Sequence, residues 1–169
     1  MVSLRRATAD DIPFIMATER LPGYNVLVGC YAEDVHRANL ADDTWLYFIG
    51  LDASGTPQGF AVLQNRHDGD GSEFLRRFAV ANAGRGFGKP FLCALIDWVF
   101  THSDNARCHL HVRSSNDRAR HVYSALGFED VGPEEGVPRS RTMVLTKAVW
   151  SAARAPDHGT AVKAIRPLP

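Results

Sequence analysis

Two clusters of residues in this chain could do chemistry. The first is a glycine-dense turn, Ala83-Gly84-Arg85-Gly86-Phe87-Gly88-Lys89, entered from an apolar run ending at Val80 and left through Phe91-Leu92-Cys93-Ala94-Leu95-Ile96. Strand, glycine turn and helix in that order leave backbone N–H groups unbonded at a helix N-terminus. There the positive end of the helix dipole favours an anion, above all a phosphate. Glycine suits such a turn because it takes positive φ and lets a ligand approach the backbone, although a plain β-to-α turn uses the same spacing. A P-loop is excluded, since Lys89 is followed by Pro90 rather than Ser or Thr. A dinucleotide-binding turn would follow the first strand, with an acid about 20 residues on. The second cluster is Asn116-Asp117-Arg118-Ala119-Arg120-His121-Val122-Tyr123-Ser124-Ala125-Leu126-Gly127-Phe128. Its Tyr123 hydroxyl could donate a proton or belong to a core aromatic, and its Asn116 could bind a ligand or cap a helix.

Taken together, the glycine turn and the downstream N-x-x-A-x-x-x-Y-x-x-L-G-F pattern resemble the GNAT superfamily of acyl-CoA-dependent N-acetyltransferases. The overall pattern is similar to the branch that holds ribosomal-protein N-terminal and small-molecule acetyltransferases, and the match covers residues 73–128. The resemblance implies a single-domain α/β fold, a mixed V-split β-sheet flanked by helices, with acetyl-CoA as cosubstrate entering at the split. It implies an acceptor amine on a small molecule or a protein N-terminus. The N–H groups of Gly84, Arg85, Gly86, Phe87, Gly88 and Lys89 would hold the CoA pyrophosphate, with Gly86 and Gly88 as the paired glycines. Val80 would pair its backbone with the pantetheine arm, Asn116 would contact the cofactor, and Tyr123 would protonate the departing thiolate. Glu73 matches the general base only through a bulge, because counting back from Val80 puts Phe74 at the commonest position. Otherwise Glu73 is a solvated strand-end carboxylate, and His36, His109, His111 and Glu33 are the other candidate bases. The sequence departs from the Q/R-x-x-G-x-G/A loop in having Ala83 at the Gln/Arg position and a turn two residues short after Val80. A non-catalytic acyl-CoA sensor on the same scaffold is the rival reading, and retention of Tyr123 argues against it.

These groups need elements to position them. Strands are expected at residues 3–8, 45–49, 59–63, 74–80, 107–112, 128–131 and 141–146, on β-propensity and turn signals. In 107–112 the alternation puts Cys108, Leu110 and Val112 on one face and His109 and His111 on the other. Helices are expected after an Asp10 or Asp11 cap with Pro13 in the first turn, over 32–40 with Val35 and Leu40 inward, over 91–100, and over 116–126 behind Ser114 or Ser115, stopping at Gly127. The domain is expected to occupy residues 1–150, with 151–169 a loose tail.

Composition sets the outer limits. A chain of 169 residues with 45% hydrophobic and 22% charged residues is an ordinary globular domain. Nineteen basic residues balance nineteen acidic ones, so no general attraction to nucleic acid or membranes is expected. Three cysteines without C-x-x-C spacing read as reduced thiols of a cytoplasmic protein, with Cys93 buried, and no metal site is expected. Nothing in the pattern fixes the oligomeric state beyond a monomer or homodimer. The acids Glu33, Asp34, Asp68 and Asp70 in the acceptor-side segments would suit a cationic amine. Arg76 and Arg77 would reach substrate, CoA or solvent, and His121 would be exposed.

Overall fold

The computed structural model describes residues 2–65 and 71–154. The loop carrying His67, Asp68 and Asp70, and the chain beyond Arg154, lie outside the described residues.

Seven strands form one sheet: β1 (Ser3–Arg6), β2 (Trp45–Leu51), β3 (Pro57–Gln64), β4 (Ser72–Val80), β5 (Arg107–Arg113), β6 (Glu129–Pro133) and β7 (Ser140–Thr146). Their order is β1-β2-β3-β4-β5-β7-β6. All pairs are antiparallel except β4 and β5. The β2–β3 hairpin closes on Asp52, whose carboxylate accepts from the N–H groups of Ser54 and Thr56. The β4–β5 pair is parallel and therefore needs a crossover, which α4 (Gly88–His102) supplies.

The sheet is covered on both faces. Phe91, Leu92, Leu95, Ile96, Val99 and Phe100 form a buried stripe along α4 at helical spacing and pack on Phe48, Leu63, Leu75, Cys108 and Leu110. On the opposite face lie α1 (Ile12–Glu19), the single turn α2 (Tyr24–Leu27) and α3 (Glu33–Leu40), over a second cluster of Ile15, Tyr47, Ile49, Phe60, Val62 and Ala79. Gly50 and Gly59 sit opposite each other on β2 and β3 because the Phe91 ring lies against both. A Cβ at Gly50 would come within 2.7 Å of that ring, and one at Gly59 within 2.6 Å of the Ala79 carbonyl oxygen.

Several expectations are corrected. Val35 is exposed, while His36 is fully buried; on α3 the inward position belongs to the imidazole because Glu19 and Tyr47 wait there to bond it. Asp11 does not cap α1 with its side chain. It accepts instead from the Thr8 N–H and from the fork of Arg5, which together hold its carboxyl below the ordinary value despite the opposing effect of burial. Cys93 is only half-buried. A final helix, α6 (Lys147–Arg154), crosses the expected boundary at residue 150. Its Trp150 is buried, donates to Asp97 Oδ1 of α4 at 2.9 Å, and carries Arg154 over its ring.

Candidate active site

The site arises where the sheet opens. β4 and β5 pair only from Ser72↔Arg107 to Leu75↔Leu110, yet β4 continues to Val80 and β5 to Arg113. The pairing of β4 with β3 also shifts, since Val62 faces Arg77 while Leu63 faces Leu75. Arg76 is thus the extra residue of a bulge, a device that bends a strand and re-aims its side chains. The splayed strands enclose a cleft of about 480 Å³, within the range of small-molecule sites.

The glycine turn forms one part of the cleft wall, through Gly84, Gly86, Gly88 and Lys89. Gly84 and Gly86 adopt positive φ, 89° and 81°, a backbone that L side chains rarely take. α4 begins at Gly88 with no side-chain cap at Phe87, so its first-turn N–H groups lack intrahelical acceptors. Pro90 in that turn withholds a donor that would have been orphaned anyway. Arg85 is exposed and Phe87 turns inward onto Phe91, with ring centroids 5.5 Å apart; neither side chain lines the cleft. Two cations flank the turn, Lys89 and Arg118, and Arg118 Nη2 lies 3.4 Å from where a Gly84 Cβ would stand.

Asn116 caps α5 (Asp117–Ala125) by accepting from the Ala119 N–H at 3.2 Å, in place of the expected Ser114 or Ser115, and it lines the cleft. One helical face then brings Ala119, Val122 and Tyr123 to the same wall. Burial pushes the Tyr123 phenol well above its ordinary value, with Cys108 adding to the effect; it therefore stays protonated at neutral pH. Val80 lies on the opposing strand, and its carbonyl accepts the Tyr24 hydroxyl at 2.9 Å, leaving a second lone pair for another donor.

The candidate bases separate clearly. Glu73 is 3% exposed and accepts from Asn105 Nδ2 at 3.0 Å. It sits opposite Cys108, is neither solvated nor part of the cleft wall, and the bulge at Arg76 does not bring it there. His36 is sealed between Glu19 and Tyr47, His109 stacks on Phe74 outside the cleft lining, and Glu33 pairs with Arg37 in solvent. His111 alone of these lines the cleft, with Nδ1 at 3.2 Å from Thr142 Oγ1 and 3.7 Å from Glu134 Oε2. His121 is exposed.

Tyr24, Arg118 and the orientation of Arg76 and Arg77 escape a sequence reading. Arg118 occupies a variable position of its motif, and Tyr24 meets Val80 across 56 positions of sequence. Arg77 donates to fully buried Glu19 at 2.8 Å and to the Gly29 carbonyl at 3.1 Å. Burial alone would raise the Glu19 carboxyl. Hydrogen bonds from His36 and the Tyr31 N–H, with the charges of His36 and Arg77, bring it below its ordinary value. The cleft is cationic: among the described residues its lining includes Arg76, Arg77, Lys89 and Arg118 and no Asp or Glu. No His, Cys, Asp and Glu group among the described residues could hold a metal ion.

A family model described as "Acetyltransferase (GNAT) family" matches residues 16–128, well over half of the chain. The spermidine N(1)-acetyltransferase of Vibrio cholerae is 25% identical over 101 residues, which are 59% of this chain and 58% of that protein. The chain thus aligns with little more than half of that relative. Among solved structures, the aminoglycoside acetyltransferase AAC(6')-Ib with coenzyme A superposes with a TM-score of 0.79 at 20% identity, over 92% of this chain and 100% of that one. The spermidine N-acetyltransferase of Vibrio cholerae with CoA and spermine gives 0.75 at 19%, over 89% and 98%. These likenesses share the fold.

Proposed function

The chain belongs to the acetyltransferase (GNAT) family, and from that membership we propose that it moves an acetyl group from acetyl-CoA to the amine of a small molecule. The observation that carries this reading is one cleft lined by the glycine turn, by Asn116 and by a protonated tyrosine. The positive-φ glycines, the uncapped start of α4, Lys89 and Arg118 suit the CoA phosphates. Bound there, acetyl-CoA supplies an activated thioester, and the rest falls to the chain. The amine must lose a proton to attack, and His111 is the group along the cleft suited to accept it. The new C–N bond forms as the C–S bond breaks, and Tyr123 gives its proton to the thiolate. The relatives act, by name, on spermidine and aminoglycosides, which supports a small-molecule amine over a protein N-terminus. Free thiols at Cys30, Cys93 and Cys108 support a cytoplasmic setting, and no helix among the described residues is long and apolar enough to cross a membrane.

The test is thiol release from acetyl-CoA across a panel of amines, with CoA affinity measured in parallel by titration calorimetry. Amine-dependent release is expected. CoA binding without turnover across a broad panel would favour the acyl-CoA sensor. Arg118→Ala should weaken CoA by about tenfold, the worth of a charged hydrogen bond, and leave the fold unchanged by circular dichroism. Unaltered affinity would remove Arg118 from the phosphate site.

A further inference from the structure

The acceptor end of the cleft has a charge that none of the motifs records. Four residues that line the cleft as a whole are arginine or lysine, and three of these have evident duties. Lys89 and Arg118 stand at the glycine turn, where the phosphates go. Arg77 is neutralised by Glu19 at 2.8 Å. Arg76 remains. It is exposed on the β4 bulge, and no carboxylate pairs with it among the described residues.

Arg76 is also held. Its guanidinium carbon lies 5.2 Å from the Trp45 ring centroid and 5.8 Å from that of Phe74. Its Nε donates to the Tyr31 hydroxyl at 3.2 Å, and Nη1 reaches Gln64 Oε1 at 3.4 Å. Tyr31 is fixed in turn, because its N–H donates to buried Glu19 at 2.9 Å. A guanidinium pinned on an aromatic shelf has lost much of its rotamer freedom already, so its remaining donors can engage a planar anion at little further entropic cost. The potential around it is positive: burial would raise the Tyr31 phenol, but the Arg76 hydrogen bond and the Arg77 and Arg76 charges bring it below its ordinary value.

We infer that Arg76 is a specificity residue that binds a carboxylate of the acceptor, so that the preferred substrate is a small amine carrying a carboxylate rather than a polycation. A carboxylate accepts two parallel N–H bonds from such a fork, whereas a polyamine brings like charge against Arg76. The expectation of a cationic acceptor rested on Glu33, Asp34, Asp68 and Asp70; of these, Asp68 and Asp70 lie outside the described residues, and Glu33 and Asp34 do not line the cleft. The inference rests on the acetyltransferase reading but fails separately from it.

The experiment uses the full chain saturated with CoA. α-Amino acids, ω-amino acids of increasing length, the carboxamides of each, and spermidine are titrated by calorimetry, and the same compounds are assayed for thiol release with acetyl-CoA. At least one carboxylate-bearing amine should bind about 10- to 100-fold tighter than its carboxamide, the range for charge-assisted hydrogen bonds. Arg76→Gln should abolish that preference, Arg76→Lys should restore part of it, and CoA affinity should stay unchanged in both. Equal binding of acid and amide, tighter binding of spermidine, binding of no member of the panel, or a preference that survives Arg76→Gln would each overturn the inference. Thiol release with spermidine alone would overturn it and leave the acetyltransferase reading standing. A carboxylate preference in binding without any thiol release would do the reverse.

Discussion

Tyr123 joins a polar hydroxyl to a setting that resists ionisation. Burial raises its phenol, and the nearby Cys108 thiol, itself pushed up by burial and then by Glu73, adds to the effect. A group whose folded value is raised keeps its proton through the whole range below that value, so Tyr123 holds a proton it could donate at every working pH. Tyr123→Phe removes the proton and keeps the ring that packs 5.6 Å from Phe128. kcat is expected to fall by about 10²–10⁴, with the KM for acetyl-CoA nearly unchanged. The pH–rate profile of the wild type should show no falling limb from Tyr123 below about pH 10, the ordinary phenol value. Steady-state kinetics of the two proteins over pH checks both statements, and wild-type turnover by the phenylalanine variant would reduce Tyr123 to a core aromatic. His111→Gln provides the contrast: it should lower kcat with CoA affinity unchanged, because it removes the group proposed to take the amine proton. Glu73→Gln, altering a buried carboxylate bonded to Asn105, should disturb stability rather than the profile.

At the scale of elements, the cleft depends on how α4 is seated. Phe91 enters the space left by Gly50 and Gly59, and α4 carries the glycine turn at its start. Gly50→Ala drives a Cβ into the buried ring, and Gly59→Ala meets both the Ala79 carbonyl and the ring. Each should cost about 1–3 kcal/mol, the usual range for overpacking, lowering Tm by about 2–4 °C per kcal/mol for a chain of this size. Phe91→Leu in the Gly50→Ala background should recover part of that loss, as coupled neighbours do; additive losses in thermal melts would exclude the contact as the cause. This arrangement also marks how far a sequence can be read. The glycine turn, the alternation of 107–112 and the helix capped by Asn116 and stopped at Gly127 were legible because each is a local pattern with its own period or turn chemistry. The pairing of Gly50 with Gly59 across a hairpin, both against the Phe91 ring of a later helix, has no local signature. The same holds for Arg118 beside Gly84, which needs β5 and β4 to be neighbours first. Helix α6 has no such local signature either, because only the docking of Trp150 on Asp97 distinguishes it from a tail.

Across the whole molecule, the N-terminal helices are tied to the sheet through one buried carboxylate. Glu19 at the end of α1 accepts from Arg77 on β4, from the Tyr31 N–H ahead of α3, from His36 on α3 and from Arg20. Without those donors a fully buried carboxylate would be costly; with them its folded value lies below the ordinary 4.5. The sign follows. A carboxyl whose folded value is depressed contributes its full stability above the unfolded value and loses it as pH falls through the lower folded one. Asp11, held down first by the Arg5 hydrogen bond, acts in the same direction. The protein should therefore unfold more readily as pH drops below about 4.5, with a steeper dependence than unperturbed carboxylates would give. Glu19→Gln should lower stability at neutral pH by about 3–5 kcal/mol, because it strands Arg77 in the interior. It should also flatten the acid limb, since the group that titrates is gone. Because Tyr31 and Arg77 would lose their anchor, acceptor binding should weaken more than CoA binding. Urea melts of both proteins from pH 7 down to pH 3 measure the slopes, and a variant with the wild-type slope would show that the acid response of the fold resides in other carboxylates.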